Sequence, residues 1–285
     1  MGQPGSGRIP PVLWIGPADG GELAFARSWI AARAEVLDAV SPAAAVADPP
    51  AALADRSPAV VLLASAATFS WPLKECIAVS RRWPLAPLVS VAGTLVEGRR
   101  RSGPALPGVE EVAWNELPGR LAWWLRSRTA GTPGALGMPA TARREERLLE
   151  ATRRIADLRP LRPARVEVAA ARPLDVEPLA DLVAAAGHTV VGRRTGKPPI
   201  DHAADAVVWD AGDLEPSHLT WTGLLAAHRP GAAIVLLDSF PRADTAAAAI
   251  RMGATAVLSR PVSLESVSGL LLDLPLPPRP AANRG

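Results

Sequence analysis

The chain has one cysteine, Cys76, in 285 residues. A single thiol excludes an internal disulfide and a thiolate metal cluster. Lysine is nearly as scarce: Lys74 and Lys197 are the only two among 31 basic residues, and the other 29 are arginine. No apolar run reaches the roughly 18 residues needed to span a bilayer. The opening segment "MGQPGSGRIPPVLWIG" has one arginine and a short apolar run, below the roughly 7 to 15 residues of a secretory signal core. These absences predict a soluble, cytoplasmic protein without a membrane partner.

Several signatures of chemistry are missing as well. The segment "GPADGG" (16–21) does not supply the G-x-G-x-x-G of a dinucleotide-binding turn. "GRRTGKPP" (192–199) is one residue short between its glycines for a phosphate loop, and Pro198 stands where the Mg²⁺-binding hydroxyl belongs. All four histidines, His188, His202, His218 and His228, lie in the second half without ligand spacing. No G-x-S-x-G elbow is present, so a hydrolase has no visible nucleophile. A non-enzymatic protein with no cofactor and no metal is expected.

The formal net charge is +3. Basic residues outnumber acidic ones 13 to 11 in residues 1–130 and 8 to 4 in 131–165, and are outnumbered 10 to 13 in 166–285. The excess therefore sits in a connector, no lobe is strongly basic, and a nucleic-acid partner is not expected.

What is there reads as two α/β lobes. "PVLWIG" (11–16) is a first strand, followed by a helix through "GGELAFARSWIAARAEVL", with Leu23, Ala26, Trp29, Ile30, Arg33 and Leu37 at helical spacing. The buried runs 59–65, 87–93 and 108–114 follow, with helices in "WPLKECIAVSRRW" and "LPGRLAWWLRSR". The first lobe is expected over 11–127 and a linker with an amphipathic helix over 128–163. The second lobe spans 164–274, and the ends, 1–10 and 275–285, read as disordered. In the linker, Leu148, Ala151, Ile155 and Leu158 make an apolar stripe. Either the stripe docks on its own chain, or residues 145–158 pair two copies in a homodimer. The second lobe has strands at 166–169 and 188–191 around a helix at 175–186. Its core lies in "ADAVVWDAGD", "GAAIVLLDSF" and "IRMGATAVLSRPVSLESVSGLL", where continuous apolar runs end in acids. Strands of that kind belong to a parallel sheet buried on both faces. The shared order of elements in the two lobes implies an internal duplication.

On "AAGHTVVG", "DAVVWD" and "GATAVLSRPVSLESVSGLL", the second lobe resembles the receiver domain of bacterial two-component response regulators. The resemblance implies two tandem flavodoxin-like lobes, each a five-stranded parallel sheet with helices on both faces, joined by a linker helix. It places Asp210 at the phosphoacceptor position. The family's acidic pair, which holds Mg²⁺, reads Ala170 and Ala171; its lysine reads Arg260, its hydroxyl position Leu237 with Ser239 near, and its switching aromatic Val257. A cis Arg260-Pro261 bond is implied if the turn is kept. In the first lobe the same positions read Gly16 and Pro17, Ala64 and Asn115. The implied function is a signalling protein of two degenerate receiver-like lobes that acts through contacts with a protein partner, independently of phosphorylation at Asp210.

Seven of the nine tryptophans fall in the first lobe, and Arg99, Arg100 and Arg101 form a run in a Gly-flanked loop. Most of these tryptophans are expected to fill the core, and the Arg run reads either as a solvated loop or as a patch. Trp is enriched at binding hot spots, so Arg99–Arg101 with Trp83 and Trp114 are the candidate patch for a partner or an anion, and exposure of Trp71, Trp83 or Trp123 would support it. The alternative function is a bilobal binder of a small anionic ligand, held between the lobes or at strand carboxyl ends by Arg99–Arg101 or by Arg193 and Arg194.

Overall fold

Val60–Ser65 and Ala233–Asp238 are apolar up to a final polar residue, and all twelve positions are buried. Strands of this kind have to be covered on both faces. The computed structural model, which describes residues 11–67, 70–96, 108–129, 145–146, 149–150, 152–153, 160, 162–201 and 203–272, meets that demand twice. The chain divides into two compact units, Met1–Ala151 and Thr152–Gly285.

The first unit contains strands β1 (Val12–Ile15), β2 (Val36–Ala39), β3 (Val60–Ser65), β4 (Leu88–Ala92) and β5 (Val109–Ala113), with helices α1 (Gly21–Ala31), α2 (Pro42–Ala47), α3 (Leu73–Arg82) and α4 (Leu117–Thr129). The second contains β6 (Arg165–Ala170), α5 (Pro173–Ala185), β7 (Thr189–Thr195), β8 (Ala206–Gly212), α6 (Pro216–His228), β9 (Ala233–Asp238), α7 (Ala243–Arg251), β10 (Ala256–Ser259) and α8 (Leu264–Leu272). Both sheets are parallel, in the orders β2-β1-β3-β4-β5 and β7-β6-β8-β9-β10. This is the doubly wound, flavodoxin-like order. Right-handed crossovers then put the first and last helices of a lobe on one face and the middle ones on the other. Accordingly α1 packs on α4 and α2 on α3, while α5 packs on α8 and α6 on α7. Among the described residues no helix is long and apolar enough to cross a membrane.

The first helix is shorter than its sequence pattern. It ends at Ala31, and Leu37 belongs to β2, where it pairs with Leu13. The apolar spacing that ends at Leu37 imitates one continued helical face, but the edge of the sheet takes Val36–Ala39 as its outer strand. The strand expected at 188–191 runs on to Thr195, with a register shift opposite Val166 and Glu167.

Most of the first-lobe tryptophans fill the core as expected, and the correction concerns the two assigned to a patch. Trp14, Trp29, Trp83, Trp114, Trp123 and Trp124 are buried, and only Trp71 of the first lobe is half-buried. Trp83 (2% exposed) and Trp114 (0%) are therefore no part of a surface patch. Trp83 packs in one core cluster with Leu13, Ile15, Leu53, Leu63 and Val79, where the small side chains of Ala45, Cys76 and Ala86 leave room for the indole. Arg99–Arg101 lie outside the described residues, as do Leu148, Ala151, Ile155 and Leu158 of the linker stripe and both chain ends.

The second lobe has no helix between β7 and β8 among the described residues. The chain crosses there as a proline-bearing loop that the opposite elements pin. Trp221 donates from Nε1 to the carbonyl of Pro198 (2.9 Å), and Arg229 donates from Nε to the carbonyl of Ile200 (2.9 Å) and from Nη2 to that of Pro199. The same guanidinium lies 3.4 Å from the carboxylate of Glu167, which is wholly buried in β6. Gly192 stands beside Glu167 in the register, and a Cβ there would lie 3.4 Å from Glu167 Oε1.

Two outcomes follow for stability. Breaking a buried pair from one side strands a charge, so Arg229→Met is expected to destabilise by about 3 kcal/mol in urea unfolding, and the double variant Glu167→Gln/Arg229→Met to recover part of that loss. His188, 6% exposed, accepts the Ala164 N–H at Nδ1 (3.1 Å) and has no partner at Nε2. Burial pushes its pKa down to about 4 from 6.5. Because the folded value lies below the unfolded one, its neutral form favours the fold above the unfolded value, and that contribution is lost as pH falls from 6.5 towards 4. Wild type is expected to lose up to about 2 kcal/mol more than His188→Gln between about pH 7 and about pH 4.5, read from urea midpoints at each pH.

Candidate functional site

Parallel strands deliver their last residues to one edge of the sheet, and helix N-termini face the same edge. In the second lobe that edge carries the ends of β6, β8, β9 and β10. The register sets Ala170 beside Asp210 and Asp210 beside Leu237. Asp210 is 4% exposed. Its Oδ1 accepts the Gly212 N–H at 3.0 Å, and its Oδ2 lies 3.3 Å from Arg260 Nε. The same guanidinium donates through Nη2 to Asp175 Oδ2 at 2.9 Å, and Asp175 also receives Arg172 Nε at 2.8 Å. Two carboxylates and two guanidiniums thus alternate across the edge. The bond from Arg172, with help from Arg260, holds the Asp175 carboxyl below its ordinary range, whereas burial pushes Asp210 up against the pull of Gly212 and Arg260.

Arg260 follows β10, and its bond to Pro261 is cis. Ala170 is fully buried, and the Ala171 N–H donates to the Asp210 carbonyl at 2.8 Å, so the backbone keeps its place while neither side chain offers an oxygen. Leu237 and Val257 are buried in the core. Ser239 is half-buried, and its N–H donates to the Gly212 carbonyl at 2.7 Å. Two acids that the sequence did not single out complete the edge. Asp175, in the first turn of α5, is the second anchor of Arg260. Asp238, the last residue of β9, is 4% exposed, accepts the Phe240 N–H at 3.3 Å and the Leu214 N–H at 3.4 Å, and is pushed up in pKa by burial. A helix N-terminus and a strand end were the available signals for these two.

The first lobe closes the corresponding edge with an indole. Trp71 donates from Nε1 to the carbonyl of Ala64 at 3.1 Å, and its ring lies over Gly16, where a Cβ would come within 2.5 Å of Cζ2. Gly16 also has φ 110°, a conformation that L side chains rarely adopt. Pro17 accepts the Trp14 indole N–H at 3.1 Å, and Asn115 is buried. Glu22, in the first turn of α1, accepts the Thr94 N–H at 2.8 Å and also its hydroxyl, so α1 is tied to the end of β4. Trp114 donates to Thr94 Oγ1 at 3.4 Å and meets Phe25 edge-on at 5.5 Å.

A magnesium ion of the kind the receiver fold implies does not fit this edge. It needs oxygen ligands beside Asp210, where Ala170 and Ala171 supply none and a guanidinium already holds the carboxylate. Among the described residues no group of three His, Cys, Asp or Glu side chains could hold a metal ion.

Each lobe is receiver-like in topology. Among solved structures, the chain is similar to a protein described as pilus assembly-related from Burkholderia pseudomallei K96243, at 24% identity over 38% of this chain and 85% of that one, with a TM-score of 0.34. It is similar to a pilus assembly protein, cpaE, from Burkholderia thailandensis E264 at 25% identity over 38% and 93%, TM-score 0.35. A CheY-like response regulator from Mesorhizobium loti is 16% identical over 39% and 97%, TM-score 0.31. No protein-family model and no curated protein matches the chain.

Removing Arg260 leaves Asp210 buried without its cation. Arg260→Ala is expected to cost about 2 kcal/mol at neutral pH, since the pair is partly solvated. The Asp210 pKa then rises further above its unfolded value. The penalty belongs to the charged form, so it is present above the folded pKa and shrinks as pH falls through it. Thermal melts across pH should show the deficit narrowing in acid, and Arg260→Ala/Asp210→Asn should recover stability at neutral pH.

Proposed function

We propose that this chain is a regulatory protein of two pseudo-receiver lobes that acts through protein contacts, without phosphorylation of an aspartate and without an enzymatic step of its own. The observation that carries the reading is the Arg260 guanidinium 3.3 Å from Asp210 Oδ2. Phosphoryl transfer to a carboxylate gathers negative charge on one group and depends on placed cations to neutralise it. Here the acidic positions that would hold a metal are Ala170 and Ala171, and among the described residues the cation in contact with the carboxylate is a planar fork also engaged with Asp175. The first lobe has Ala64 at the matching position with Trp71 bonded to its carbonyl, so it offers no acceptor there. With the chemistry removed and the framework retained, the remaining use of such a lobe is as a shaped surface for another protein.

Acetyl phosphate with Mg²⁺ is the direct test. Incubation of the full chain is expected to leave its intact mass unchanged, and Asp210→Ala to behave identically. A hydroxylamine-sensitive phosphoryl adduct mapped to Asp210 would overturn the reading.

A further inference from the structure

Helix α3 of the first lobe buries Cys76 and Val79 and turns its other side to solvent. On that side Leu73, 43% exposed, and Ile77, 42% exposed, stand four residues apart, and exposed Arg81 continues the same row. Exposed Lys74 lies beside it. At 3.6 residues per turn, Glu75 falls on the far flank, so the outer face combines two apolar side chains with two cations and no acid. Among the described residues neither Lys74 nor Arg81 has an ion-pair partner. Arg82, by contrast, is engaged: it donates to the Ala54 carbonyl at 3.4 Å and lies 5.7 Å from the Trp83 ring.

Lys74 is out of place for the helix itself. It is the second residue of α3, where the aligned peptide dipoles present positive charge and an acid is favoured, and Pro72 supplies no side-chain cap. Glu75 supplies the acid that the first turn favours, so the charge of Lys74 is not needed there by the helix.

We propose that this face of α3 is a docking surface for an acidic amphipathic helix of a partner protein. The partner would lay apolar side chains along Leu73 and Ile77 and set Glu or Asp against Lys74 and Arg81. The charges argue against a second copy docking face to face, because the same two cations would meet. An anionic membrane surface fits less well: Trp83 is buried and the Trp71 indole N–H is bonded inward to Ala64, so neither described tryptophan flanking the helix is free to seat in a headgroup layer. The inference rests on the reading that the chain works through protein contacts, but it uses no residue near Asp210. The acetyl phosphate result and the result below therefore fail independently.

The test uses the full chain and two synthetic amphipathic helical peptides with the same Leu/Ile stripe, one flanked by Glu and the other by Lys, with anisotropy as the readout. Phosphatidylserine/phosphatidylcholine vesicles are run in parallel. The Glu peptide is expected to bind at least about tenfold more tightly than the Lys peptide, and to weaken as salt rises. Lys74→Glu/Arg81→Glu is expected to lose about tenfold in affinity for the Glu peptide and to gain for the Lys peptide, and Leu73→Ser/Ile77→Ser to lose affinity for the Glu peptide. The charge swap is the readout that a folding defect would not produce. Equal binding of both peptides, no binding of the Glu peptide, or vesicle binding lost in Lys74→Glu/Arg81→Glu without peptide binding would each overturn the proposal.

Discussion

A carboxylate buried at the end of a parallel strand has to be neutralised, and in the second lobe the neutralising charge is the Arg260 guanidinium. That one group ties three parts of the fold together: the end of β8 through Asp210, the first turn of α5 through Asp175, and the turn after β10 on which it sits. The alternation continues through Arg172. A charge network of this kind is tolerated because both oxygens of the inner member, Asp210, which is nearly dry, face a donor, while the outer members keep partial access to water. At that edge the Asp210 carboxylate is held by contacts internal to the lobe.

The first lobe reaches the same closed edge by packing. Without a charge at Ala64 there is nothing to neutralise, and the indole of Trp71 covers the strand ends, using Gly16 for room and the Ala64 carbonyl for its N–H. Both lobes also use an acid in the first turn of the first helix as a strut across the edge, Glu22 to Thr94 and Asp175 to Arg260. The carboxylates sit where the helix dipole favours them, so the strut costs the helix nothing.

Much of the fold was legible because its signals are local. Runs such as Val60–Ser65 and Ala233–Asp238, interrupted by helical spacing, imply a buried parallel sheet, and the strand orders agree with that. The short edge strand β2 was not legible: Val36 and Leu37 continue the apolar spacing of α1, and only pairing with β1 tells the two apart. At the site, the residue types at 170, 171, 210 and 260 could be read in line, but Asp175 as the second anchor of Arg260 could not, since 85 residues separate them. The tryptophans misled for a related reason. Sequence shows that an indole is large and partner-prone, but not that Trp83 packs into a core with Leu13, Ile15, Leu63 and Val79, nor that Trp114 meets Phe25 edge-on in the interior.

The indole over Gly16 also bears on how each lobe could change over generations. In the second lobe, an aspartate stands at the strand end, and exchanging Arg260 for lysine and the two alanines for acids would build an acidic site one residue at a time on an unchanged backbone. In the first, the Ala64 carbonyl is held by the Trp71 indole, and a side chain at position 16 would strike that ring at 2.5 Å in a left-handed conformation. No side chain can be added at position 16 without first emptying the space that Trp71 fills. The two lobes thus close the same edge in ways that differ in what a single substitution can reach, the one by a charge pair and the other by packing that works as a ratchet.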